Sequence, residues 1–140
     1  MRKKWIIGIV VTIIIVCGAL WYYYSQYSGE MDVYNTHSTV FGDYHEENIT
    51  VIVNKPHIED IQACAEEIVE RCRNNDFDSV LFSYDESIPN ELHATAYLNE
   101  RDLKRGKAIF SLSYEQETLN SEYNIVEHPE KFKLKISEEN

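Results

Sequence analysis

From Trp5 to Tyr24 the chain reads WIIGIVVTIIIVCGALWYYY, with no charge and with Thr12 as its one strongly polar side chain. Coiled as a helix, such a run covers about 30 Å, the thickness of a bilayer's hydrocarbon core. Trp5 at one end and Trp21, Tyr22, Tyr23 and Tyr24 at the other stand where aromatic rings bury carbon at headgroup depth and keep a polar atom wet. Residues 5–24 are therefore expected to enter the lipid bilayer as a transmembrane signal-anchor, with residues 1–4 as its basic flank.

Beyond Tyr24 the pattern changes. Residues 25–47 scatter Tyr27, Tyr34, Phe41 and Tyr44 among Ser, Gly, Asp, Asn and His and sustain neither a period of 2 nor one of 3.6. This stretch reads as a juxtamembrane stalk, with room for a short strand at Thr39 to Phe41. From Asn48, Ile49, Val51 and Val53 alternate with Thr50, Ile52 and Asn54, the signature of a strand ending at Lys55-Pro56. Ile58, Ile61, Ala65, Ile68 and Cys72 then recur at spacings of 3 and 4, one apolar stripe of a helix running to about Asn75. Glu59 and Asp60 in its first turn and Arg71 and Arg73 in its last suit the helix dipole.

Three further strands are expected at Phe77 to Tyr84, Glu91 to Asn99 and Ala108 to Gln116, with a capped helical turn at Asn99 to Gly106 between the last two. A strand near Glu122 to Val126 can precede Phe132, Leu134 and Ile136. The last three alternate with Lys131, Lys133 and Lys135 as in a protected edge strand. The β-α-β-β-β order predicts an α+β domain over residues 48–140, one helix packed on a mainly antiparallel sheet of four to six strands. Strand alternation sends Leu92, Ala94, Ala96, Phe110, Leu112 and Tyr114 toward the helix. It leaves His93, Thr95, Tyr97, Ser111 and Ser113 on a polar opposite face, the candidate partner-binding surface.

Charge adds a direction. The first 24 residues carry Arg2, Lys3 and Lys4 and no acid, whereas the rest carries 10 basic against 24 acidic groups, a net of −14. Such an acidic body is repelled by nucleic acid, so no nucleic-acid partner is expected. Flanking cations on the N-terminal side alone put the N-terminus in the cytoplasm and the C-terminal domain outside, in a single-pass protein of the cell membrane. The competing reading is a signal peptide cleaved near Ala19, which would release a secreted protein such as an inhibitor.

Chemistry is sparse. Cys64 and Cys72 stand eight residues apart on one helix, about 12 Å of rise and too far to bridge. Cys72 falls on the apolar stripe and Cys64 beside it, so Cys64 is expected to be partly exposed. His37, Asp43, His45, Glu46 and Glu47 form one cluster of acids and histidines, and Asp85, Glu86, Glu91 and His93 another, but neither has an established ligand spacing. No metal or other cofactor is therefore expected. G-x-S-x-G, H-E-x-x-H, P-loop and C-x-x-C motifs are missing, which leaves His93 with Ser111 or Ser113 as the one hydrolase-like alternative. Arg101, Lys104, Arg105 and Lys107 make a candidate anion-contacting turn, balanced by Glu100 and Asp102. The short anchor and small helix-on-sheet domain resemble bitopic envelope proteins of Gram-positive bacteria, although no motif names a family. The leading expectation is a non-enzymatic binding or accessory module for another envelope protein.

Overall fold

The computed structural model describes residues 2–25, 27 and 29–139. Helix α1 (Arg2–Ser25) has no buried residue and is the one helix, among the described residues, long and apolar enough to cross a membrane. The body follows as β1 (Asp32–Phe41), β2 (Tyr44–Ile52), α2 (Ile61–Asn74), β3 (Glu91–Tyr97), the short α3 (Glu100–Lys104), β4 (Phe110–Gln116) and β5 (Phe132–Glu138). The strands lie in sequence order in one five-stranded sheet. The β2–β3 pair is parallel and the other three pairs are antiparallel, as the crossover through α2 requires.

Helix α2 covers one face of the sheet. Ala65, Ile68 and Cys72 are buried against Val51, Leu92, Ala96, Phe110 and Ile125, which are themselves at most 1% exposed. The helix starts at Ile61 rather than Ile58 because Asp60 is its cap, its carboxylate accepting the Ala63 amide at 3.0 Å. Its last turn carries Arg71 and Arg73 as expected, and Arg73 Nε donates to the Ile125 carbonyl at 2.7 Å.

The α+β class holds, with two main changes in which segments form strands. The segment expected as a stalk is folded from residue 31 onward: β1 and β2 form a hairpin across Gly42 and Asp43, and Met31 and Val33 are in the core. Gly42 has φ +63°, the conformation that primed two-residue hairpin turns demand. The hairpin escapes a periodicity search because β1 is an edge strand whose one buried side chain is Val33. A register shift between Val33 and Asn35 also breaks the alternation.

The other change is at Phe77 to Tyr84, which forms no strand. Asn75 ends α2 in the left-handed conformation (φ 54°, ψ 46°), and its side chain both donates to the Phe82 carbonyl and accepts the Phe82 amide, each at 2.8 Å. Ser79 Oγ donates to the Val33 carbonyl at 2.8 Å and the Tyr84 hydroxyl to that of Cys72. Side chains thus satisfy backbone groups that a ladder would otherwise use. Glu122 to Val126 is likewise turn and coil rather than strand.

Cys64 is buried, not partly exposed, and burial pushes its thiol up to about 11. All three cysteines are free. Because the thiolate is the reactive species, both Cys64 and Cys72 are expected to resist a maleimide until the domain unfolds. Mass spectrometry after labelling in native buffer and in denaturant checks this, and rapid native labelling of Cys72 would show that α2 is misplaced.

Candidate functional site

The face of the sheet away from α2 is mostly polar, because the strands place most of their alternate hydrophilic residues there, with the exposed Phe41 as an apolar member at the β1 edge. On β3 and β4, Thr95 pairs with Ser111 and His93 with Ser113, and Tyr97 lies two residues beyond Thr95 on the same side. The structure thus brings the five expected residues onto one surface, all of them half-buried.

Strand β2 adds Tyr44 and Glu46, from the stretch expected as a stalk, and Asn48 to this face. Its parallel register with β3 sets Glu46 beside Glu91 and Asn48 beside His93, and the β3–β4 register carried one step further brings Glu115 alongside Glu91. His93 Nε2 lies 2.7 Å from Glu91 Oε2 and 3.7 Å from Glu46 Oε1. The Tyr44 hydroxyl donates to Glu91 Oε1 at 3.0 Å, and Asn48 Nδ2 donates to Glu46 Oε1 at 3.2 Å. Burial, and then the hydrogen bond to Glu91, push the Tyr44 hydroxyl well above its ordinary range and keep it a neutral donor. The hydrolase-like pairing of His93 with a serine is not the contact formed: the Nε2 nitrogen faces carboxylates.

An open groove of about 380 Å³ runs past this cluster, lined in part by Glu46, His93, Ser113 and Lys135. Lys135 pairs with Glu115 at 3.1 Å and Lys133 with Glu117, so the β5 edge carries the lysines expected of a protected edge.

No family profile, curated protein or solved structure matches the chain.

The opposite side of β2 holds a second polar group. His45 and Glu47 are buried, His45 Nε2 lies 2.9 Å from Glu47 Oε2 and its Nδ1 lies 3.0 Å from Ser87 Oγ. Ser38 Oγ donates to the same carboxylate oxygen, while Glu47 Oε1 has no hydrogen-bond partner among the described residues. Since Ser87 lies on the exposed turn after Tyr84, the group ties that turn to the hairpin across the edge of the core. Neither cluster is complete within a local stretch of sequence: Glu46 reaches Glu91 and His93 only through the β2–β3 pairing, and His45 reaches Ser87 only across 42 positions.

The basic turn is at the other end of β3 from Glu91. Asn99 caps α3 by accepting the Asp102 amide at 2.8 Å, Gly106 takes φ +69°, and Arg101, Lys104, Arg105 and Lys107 are exposed. Lys104 pairs with Glu100 at 3.2 Å, one turn away on α3. The connection from α1 arrives at this same end: Asn99 Nδ2 donates to the Tyr27 hydroxyl at 3.3 Å and the Gly29 amide to the Asn54 carbonyl at 3.0 Å.

Proposed function

We propose that the chain is a single-pass membrane-anchored module, N-terminus in the cytoplasm, whose outer domain binds another envelope protein through the polar face of its sheet. The observation that carries this reading is that α2 covers one face and leaves His93, Thr95, Tyr97, Ser111 and Ser113 together on the other, half-exposed and outside the apolar core. A rigid scaffold that presents an organised polar surface, with an aromatic ring on it, is suited to recognition. The anchor rests on the span of α1, and the orientation on Arg2, Lys3 and Lys4. In this arrangement the basic turn, at the end where the tether enters, faces the headgroups, and the Glu46–Glu91 row faces away from them.

The test uses protoplasts and a membrane-impermeant amine crosslinker, which Lys133 and Lys135 at the margin of the face would capture. A discrete crosslinked product is expected with the native chain. Tyr97→Ala should weaken capture by about 2 kcal/mol, roughly thirtyfold, if the ring is a central anchor of the interface. Absence of any product, or a product insensitive to both Tyr97→Ala and Ser113→Arg, rejects the reading.

A further inference from the structure

Glu46, Glu91 and His93 converge from two adjacent strands so that one ligand atom of each lies within 4.8 Å of the other two. The cluster mixes an imidazole nitrogen with carboxylate oxygens, a donor set suited to zinc and its first-row neighbours rather than to calcium or magnesium. We propose that these three residues form a binding site for a divalent transition-metal ion of the zinc class.

Charge supports the assignment. Three carboxylates, Glu46, Glu91 and Glu115, stand in one row across β2, β3 and β4, and like charges directly opposite each other on a sheet repel. Lys135 pairs with Glu115, which leaves Glu46 and Glu91 facing the His93 ring nitrogen. A cation between the two glutamates would lie where the imidazole Nε2 now meets them, with Nε2 offering its lone pair to the ion.

Geometry supports it as well. Any two ligands of a tetrahedral zinc ion bound at about 2.0–2.2 Å are roughly 3.3–3.6 Å apart. The 3.7 Å separation of His93 Nε2 from Glu46 Oε1 is close to that, and the 2.7 Å contact with Glu91 needs only a small side-chain rotation to open. Outer partners are already in place, Tyr44 holding Glu91 and Asn48 holding Glu46, as ligating carboxylates usually require. Three protein ligands beside an open groove leave the fourth coordination position to water or to a donor from another molecule.

The test is titration of the full chain, in detergent micelles and without a polyhistidine tag, with Zn²⁺ alone by calorimetry, and with Co²⁺ as a visible-spectrum probe of coordination. One equivalent of Zn²⁺ is expected to bind. His93→Ala and Glu46→Gln, both at part-exposed positions, should each weaken it at least tenfold, while His57→Ala and His128→Ala leave it unchanged. Glu91 is buried, so Glu91→Gln is read only where circular dichroism shows the native fold. Absence of stoichiometric binding to the native chain, or binding unaltered by His93→Ala, overturns the proposal. The titration contains no partner protein, and the crosslinking above can be repeated with chelator, so failure of the metal site and failure of the binding-face reading are told apart.

Discussion

His45→Ala is expected to lower the unfolding free energy by about 3–5 kcal/mol, the cost of leaving a buried charge without its partner. The Glu47 carboxylate is 3% exposed and its Oε2 is held by His45 and Ser38, while Oε1 already lacks a hydrogen bond. With the imidazole gone, Ser38 alone would solvate that charge in the core. Glu47→Leu in the same background removes the orphaned carboxylate, so the double replacement should recover part of the loss and the two changes should be strongly non-additive. Denaturant titration of the four proteins of the cycle, each in micelles, provides the measurement. Additive effects, or a loss for His45→Ala below about 1 kcal/mol, would mean that the pair is not sealed from water as described.

The other large effect is expected in α2. Ile68 is fully buried between the helix and the sheet, so Ile68→Ala should cost about 2–5 kcal/mol, the spread reflecting how far the site can collapse around the lost carbons. Glu67, one residue earlier, forms a partly exposed ion pair with Arg71 at 3.2 Å, and Glu67→Ala should stay within about 0.5 kcal/mol. The contrast between neighbours matters more than either value. Equal losses would mean that the helix presents a different face to the sheet.

What was legible in the sequence follows the reach of local patterns. The 20-residue apolar run, the 3-4 stripe from Ile61 to Cys72 and the alternation at Leu92 to Tyr97 and Phe110 to Tyr114 each report one neighbour, lipid or core, along their whole length. Strand β1 does not: as an edge strand with a register shift it has no consistent apolar side to display, although Gly42-Asp43 was a usable hairpin signal. Phe77 to Tyr84 erred in the opposite direction. Its strand-like side chains are partly engaged in packing beneath α2, but Asn75, Ser79 and Tyr84 take backbone and side-chain bonds that bend it into a loop.

By itself the sequence determined the apolar span, the acidic body, the helix-on-sheet class and the β3 and β4 residues of the polar face, because hydrophobic periodicity and charge are properties of single segments. It also carried the cap at Asn99 and the αL residue at Gly106, which are encoded within a few positions. Tertiary structure alone decided which strands are neighbours. The β2–β3 pairing joins residues about 45 positions apart through α2, and it is this parallel register that sets Glu46 beside Glu91 and His93. It also decided that His45 and Glu47 turn inward while Glu46 between them turns outward. Alternation assigns a side to each of these residues only once the strand's extent and its core-facing side are known, and both are set by contacts that lie far away in the chain.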